Sequence, residues 1–358
     1  MKKLIIRIVT ILLAFMAGAG FMSYATYMGN RDMTAAMAGA TLPVLYAEQD
    51  GELYNEMHGY VDQMNGSYMK ESVLGISQDH TLRMAVQKYN AHIRGLSYEV
   101  RSLDMTRLVQ DGSDLLTEDD GKYMRVSIDL KDLMEPGERY LFIFTVDTEE
   151  HGAVYYYSQI SYLGENHVRE CVDFAKAFHQ ATFQKDTNQE LLKKLEPDGS
   201  TDSKDYGYAN IHSYPRAVVW GEMQVEQVTK EQIRFTDISG NIVSLVMNYQ
   251  IRDAKTQALY QVSEAFCIQY TQSRMYLQNY ERTTDRIFQV GSQIVEDGTI
   301  DFGIQSQRPN YQKNEEENVI GFVQQGQLWC YDFGQNRLSK VYGFEDEEDE
   351  RGLYNAHD

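Results

Sequence analysis

The feature that most constrains this chain is a two-residue period that returns in long runs. Val243, Leu245, Met247, Tyr249 and Ile251 alternate with Ser244, Asn248 and Gln250, and Met124, Val126, Ile128 and Leu130 alternate with Arg125, Ser127 and Asp129. Successive strand side chains point to opposite faces, so each run is a half-buried strand that needs a sheet around it. Further strands are predicted at TLPVLYA (41–47), TLRMAV (81–86), LSYEVRSL (96–103), RYLFIFTVD (139–147) and AVYYYSQISY (153–162). Asp120-Gly121 and Pro136-Gly137 supply turns between them. About seven short strands in some 120 residues predict a β-sandwich of immunoglobulin or fibronectin type III kind over 41–163.

The period changes at 165. Val168, Cys171, Val172, Ala175, Phe178 and Thr182 recur at helical spacing, which predicts an amphipathic helix over 166–184. Thr187 with Glu190 is a capping-box pair, and Leu191, Leu192 and Leu195 predict a second, short helix stopped by Pro197. Strands return at AVVWGEMQVEQV (217–228), QIRFTDIS (232–239), NIVSLVMNYQIRD (241–253), ALYQVSEAFCIQY (258–270) and RMYLQNYE (274–281), with a hairpin at Ser239-Gly240-Asn241. Helices followed by an antiparallel meander make an α+β layer plan over 165–290. Beyond it, 291–358 reads as β-hairpins turning at Asp297-Gly298 and Gln325-Gly326, with Trp329 and Tyr331 on one face, then an acidic tail. The fold class is therefore mainly β with α+β.

The chain opens with Lys2, Lys3 and Arg7, then runs uncharged from Ile8 to Asn30. As a helix that run spans roughly 33 Å, enough for the hydrocarbon core. Basic residues before it and acidic domains after it predict one retained span, residues 1–31, with the N-terminus inside and the bulk outside the cell membrane. A cleaved signal peptide with Ser23-Tyr24-Ala25 as its processing site is the alternative. Residues 32–40 read as a stalk. With 33 basic and 53 acidic residues the chain carries −20, a charge that repels phosphate backbones and argues against nucleic-acid partners. Three cysteines are too few for a disulfide framework, though one Cys171–Cys267 bridge stays open.

Two segments carry resemblances. FAKAFHQATFQKDTNQELLKKLEPD and the closing FCIQYTQSRMYLQNYE resemble the NTF2-like superfamily, which implies a cone with a pocket between helix and sheet. NVIGFVQQGQLWCYDFGQNRLSKVYGF resembles the opening of a TolB-like β-propeller blade. The whole arrangement resembles membrane-anchored envelope proteins of Gram-positive, clostridial-type bacteria, a likeness that implies location and no activity.

Few residues point to chemistry. Ser67-Tyr68-Met69-Lys70 has the S-x-x-K spacing in which a lysine activates a serine nucleophile, the pattern of an envelope serine hydrolase or acyltransferase. Its companion elements are incomplete, since Lys255-Thr256-Gln257 stands where K-T-G is needed. Asp198–Ala209 departs from a calcium loop at Ser203 and Ala209, and no motif implies a metal or another cofactor. Glu264 sits in register with Tyr260, Val262, Phe266 and Ile268, on the apolar face of its strand. A carboxylate there either lines a pocket with Trp220 and Tyr249 or lies on a half-exposed strand beside an arginine, and His212 in NIHSYP is either a turn or edge residue or a further pocket residue. These four are the candidate binding residues. The leading expectation is a non-enzymatic, extracytoplasmic binding or scaffold protein with an envelope protein or glycan as partner; a ligand sensor using the aromatic pocket is a second.

Overall fold

A computed structural model describes residues 42–49, 51–69, 72–77, 79–113, 115–130, 135, 137–164, 167–199, 206–287, 295–296, 299–324, 326–335 and 337–342. The apolar run 8–30, Lys70, most of the 198–205 loop, the Asp297-Gly298 turn and the acidic tail lie outside them. Among the described residues no helix is long and apolar enough to cross a membrane. The chain is mainly β, 54% strand against 9% helix, in several antiparallel sheets. It divides into two compact units, one running to Asn310 and one that includes Tyr311 onward.

The first unit begins with two five-stranded sheets. One has the order β2-β1-β4-β8-β7, from β1 (Val44–Gln49), β2 (Glu52–Met57), β4 (Thr81–Gln87), β7 (Leu116–Asp119) and β8 (Tyr123–Asp129). The other has the order β3-β10-β9-β5-β6, from β3 (Val73–Ser77), β5 (Ile93–Ser102), β6 (Leu108–Gly112), β9 (Arg139–Thr148) and β10 (Gly152–Gly164). The alternation read from the sequence explains the layering. Val126 and Ile128 of β8 face Phe142 and Phe144 of β9 in one core shared by both sheets. Each such side chain contributes roughly 1.5–3 kcal/mol through burial. All pairings are antiparallel except β3 with β10, which is parallel. β2, β3, β6 and β7 escaped the sequence reading: β7 is exposed along its whole length, and β2 is interrupted by a bulge, so neither shows a clean period.

The helix α1 (Val168–Thr182) follows, with the apolar stripe buried as the spacing predicted. The expected second helix is instead a turn and a single 3-10 segment, Leu192–Lys194. Local hydrogen bonds compete with it: Asp186 accepts from Asn188 N at 2.9 Å, and the Gln189 amide donates to the carbonyls of Ala181 and Asp186 at 3.1 and 2.8 Å. A third sheet packs on α1 in the order β11-β16-β15-β14-β12, with β13 also paired to β14. Its strands are β11 (Tyr208–Asn210), β12 (Val225–Gln227), β13 (Gln232–Ser239), β14 (Ile242–Asp253), β15 (Leu259–Tyr270) and β16 (Met275–Arg286). Gly240, at φ +57°, makes the tight link from β13 to β14. The stretch expected as one strand from 217 starts as a one-turn helix, α2 (Pro215–Val218), with proline at its first turn, and only β12 is extended.

The three cysteines are free, so the open Cys171–Cys267 bridge is not formed. Burial pushes the Cys171 thiol up to about 12, as suits an inert core residue.

The three sheets belong to one unit because β2 and β3 serve two cores. Val73 is buried in the core of α1 and β13–β16, and Tyr54 packs against Phe235 with ring centroids 5.4 Å apart. Asn55, fully buried, donates from Nδ2 to Val73 O at 3.0 Å and accepts from Phe235 N at 2.6 Å. Its φ of +50° belongs to the left-handed region, where asparagine is tolerated better than most residues. Around it Arg139 pairs with Asp237, Lys176 with Glu52, and Gln232 Nε2 donates to Glu56 at 2.8 Å.

Near the end of this unit, β17 (Val295–Glu296) pairs with β18 (Thr299–Ile300). The second unit contains an antiparallel meander of β19 (Tyr311–Lys313), β20 (Val319–Gln324), β21 (Gln327–Asp332) and β22 (Arg337–Tyr342). Trp329 and Tyr331 are both buried, on one face of β21.

Candidate functional site

Two places in the first unit gather the polar chemistry. The first is the interior between α1 and the third sheet. Along β15 the inward positions are Tyr260, Val262, Glu264, Phe266 and Ile268, so Glu264 points into the core and is completely buried. The reading of a half-exposed strand is thereby corrected, because α1 covers this face. Across the ladder Glu264 pairs with Arg282, and Phe266 with Tyr280.

Glu264 is held from two sides. His179 Nδ1 lies 2.7 Å from Oε2, and the Tyr280 hydroxyl donates to Oε1 at 2.8 Å. The other imidazole nitrogen, Nε2, lies 3.3 Å from Gln227 Oε1. With oxygen acceptors at both nitrogens, the ring fits its imidazolium form. Burial opposes charge on His179, but the hydrogen bond and charge of Glu264 outweigh it and raise the pKa above the ordinary 6.5. Burial likewise opposes ionisation of Glu264, and the hydrogen bond and charge of His179, with Arg282 and Tyr280, bring its pKa below the ordinary 4.5. Tyr249 and Tyr280 are raised well above the usual phenol value, by burial first and by the Glu264 charge second.

The neighbouring end of this interior is closed by the loop after α2. Trp220 is fully buried in a left-handed backbone conformation, φ +64°, followed by Gly221 at +48°. A bulky residue in that region is strained. Arg282 holds the loop from inside, donating to Val218 O at 2.6 Å and Ala217 O at 3.0 Å, with its guanidinium carbon 3.6 Å from the indole centre. Lys185 holds it from outside, with Nζ on the carbonyls of Val219, Gly221 and Met223 at 2.8, 3.0 and 2.6 Å.

Of the four sequence candidates, Trp220, Tyr249 and Glu264 therefore come together, linked by the rings of His179 and Phe183. His212 does not join them. It sits in a surface turn, with Nδ1 3.0 Å from Glu196 O, because Asn210 and Ser213 close that turn locally. His179, Tyr280 and Arg282 were missed. The signal for His179 was present, one turn after Ala175 on the helix stripe. Tyr280 and Arg282 were hidden by a bulge: Cys267 faces Asn279 but Ile268 faces Leu277, so Gln278 is the extra residue and the period breaks there.

Ser67 lies in the one-turn 3-10 segment Gly66–Tyr68, and its hydroxyl donates to Asn65 Oδ1 at 2.7 Å. An S-x-x-K nucleophile instead opens a core helix, and Lys70 lies outside the described residues. Among the described residues no three His, Cys, Asp or Glu side chains converge as metal ligands. His167 stacks on Tyr270 with ring centroids 3.6 Å apart.

The second place is a groove at the seam between the first two sheets and α1. It consists of two hollows of about 140 and 170 Å3 that share Gln49, Tyr54, Val168 and Phe235. Glu52, Arg169, Asp173 and Lys176 line one, and Glu48, Asp79, Thr81 and Arg83 the other. Paired carboxylates and cations, Glu52 with Lys176 and Asp79 with Arg83, line the hollows beside the shared rings of Tyr54 and Phe235, a lining suited to a polar ligand with apolar ring faces or side chains.

Compared with known proteins, the chain matches no family model, and no curated protein is significantly similar to it.

Proposed function

We propose that this is a membrane-anchored, extracytoplasmic binding or scaffold protein, non-enzymatic, which takes an envelope glycan or protein segment in the seam groove. The observation that carries the reading is the groove itself: a charged, aromatic-lined channel whose two walls belong to one interlocked unit. Binding surfaces gain affinity when they are pre-organised, and Asn55 with its flanking ion pairs fixes both walls before a ligand arrives. The uncharged run 8–30, with its basic lead, supports the anchor and the outward orientation. The same reading takes β1–β10 as a sandwich of immunoglobulin or fibronectin kind, residues 165–290 as an NTF2-like cone, and β19–β22 as part of one blade of propeller type. Strand count, the α1-on-sheet layering and the four-stranded meander support these assignments.

The test is retention of the full chain, in detergent micelles, on isolated wall glycan and on membrane protein from the same envelope. Tyr54→Ala combined with Arg169→Glu should weaken retention on one of these materials by about tenfold, the loss of some 1.4 kcal/mol. Equal retention of the double variant and the parent on both would contradict the groove assignment.

A further inference from the structure

Arg282 is a completely buried guanidinium with no salt bridge among the described residues. Its neighbour across the ladder, Glu264, binds His179 and Tyr280, so one negative charge is shared between two buried cations, His179 and Arg282. The other buried carboxylate, Asp253, is engaged by Gln224 N, Lys255 N and the Thr256 hydroxyl. Two of the guanidinium nitrogens meet neutral carbonyls, and Nε meets nothing. The indole Nε1 of Trp220, stacked on the same guanidinium, is also without an acceptor, and so is the hydroxyl of Thr284, two residues along the inward face of β16. Buried charges are ordinarily paired, and buried N–H donors ordinarily find acceptors. Here two stacked, unmet N–H donors, with the Thr284 hydroxyl two residues further along the same face, accompany a buried guanidinium whose nearest buried carboxylate already serves the His179 imidazolium, under a loop strained at Trp220.

We propose that this locus is a binding site for a small monovalent anion, a halide or the carboxylate of a ligand, held by Arg282 Nε, Trp220 Nε1 and Thr284 Oγ1. The anion neutralises the guanidinium and accepts from both N–H groups and the hydroxyl, which also supplies a reason for the unusual Trp220 backbone. The site is positive inside a chain that carries −20. Lys185, on the outer side of the same loop, adds to that field: burial lowers its pKa, Glu222 opposes the shift, and the Arg282 charge lowers it further. The inference is independent of the seam groove.

The test is thermal unfolding of the full chain in detergent at constant ionic strength, replacing sodium isethionate, which carries no carboxylate, with sodium bromide in one series and sodium formate in another. The melting temperature should rise by about 5 °C between 1 and 100 mM of at least one of them. A response to both assigns a simple anion site, and a response to formate alone assigns a carboxylate site. Trp220→Phe, which keeps an aromatic ring and removes the N–H, and Thr284→Val should each flatten the response. Crystals of the unaltered chain soaked in bromide give a second readout that needs no variant: an anomalous peak within hydrogen-bonding reach of Arg282 Nε and Trp220 Nε1. A melting temperature indifferent to both anions, an equal response in both variants, or bromide peaks only at the surface would overturn the proposal.

Discussion

Replacing Asn55 with alanine tests how the first unit is locked together. The side chain makes two buried hydrogen bonds that span the seam, one to Val73 O and one from Phe235 N. Alanine leaves a carbonyl and an N–H unsatisfied, at about 1–3 kcal/mol each for groups that water does not reach. The residue also sits at φ +50°, where a Cβ without a polar group costs about 1–2 kcal/mol. The sum, discounted for local relaxation, is about 3–5 kcal/mol, a large share of the 5–15 kcal/mol typical of a whole domain. Asn55→Gly separates the two contributions: it loses the same hydrogen bonds but not the backbone fit, so it should be more stable than Asn55→Ala by about 1 kcal/mol. Urea unfolding followed by tryptophan fluorescence and by far-ultraviolet circular dichroism gives both numbers. The parent should show coincident transitions, and the alanine variant should show the two probes separating as the sheets uncouple. Unchanged midpoints in both variants, or glycine no better than alanine, would refute the keystone role of Asn55.

Other outcomes follow from the same geometry. His179 has a raised pKa, so its contribution to stability is complete below 6.5 and is lost as pH rises through the folded value; Glu264 has a lowered one, so its contribution is complete above 4.5 and is lost as pH falls through the folded value. The parent minus His179→Gln stability difference should therefore peak between these two values, and a difference independent of pH would count against an ionised pair. Glu264→Gln, which breaks a buried pair on one side, should cost about 3 kcal/mol or more in urea unfolding; less than 1 would mean the pair is dispensable. A Cβ on Gly59 would lie 2.3 Å from Val154 Cγ1, so Gly59→Ala should destabilise by about 1–3 kcal/mol, and a neutral result would argue against that close approach. Leu116 is 86% exposed on an edge strand, so Leu116→Cys should react with a membrane-impermeant maleimide on intact cells; labelling only after lysis would reverse the topology.

Much of the fold was legible in the chain. The strands with a clean period of two, from Tyr123 and from Ile242, lie where the alternation put them, because one covered face forces the pattern. The α1 stripe was legible for the same reason. What stayed hidden is what a period cannot carry. β2 and β16 contain bulges, so Tyr280 and Arg282 fall out of phase with the rest of their strand. The turn after α1 is decided by side-chain hydrogen bonds from Asp186 and Gln189, which outweigh the leucine spacing. Glu264 announced itself as a carboxylate on an apolar face, yet its partner His179 lies 85 residues away in sequence, and no local signal joins the two. The seam groove was not legible at all, since Tyr54, Arg169 and Phe235 meet only when two sheets and α1 have come together. His212 in NIHSYP was legible as a turn residue, and the structure places it in one, with Nδ1 on Glu196 O.

The reading of this chain as a binding module rests on the groove, and photocrosslinking in intact cells tests that most directly. A benzophenone side chain placed at Gln49, which lines both hollows, should yield one discrete adduct with a wall glycan or an envelope protein. Tyr54→Ala in the same chain should abolish it, and the same group at Leu116, on the β7 edge, should not produce it. An adduct of equal yield from Gln49 and Leu116, or one that survives Tyr54→Ala unchanged, would contradict the account.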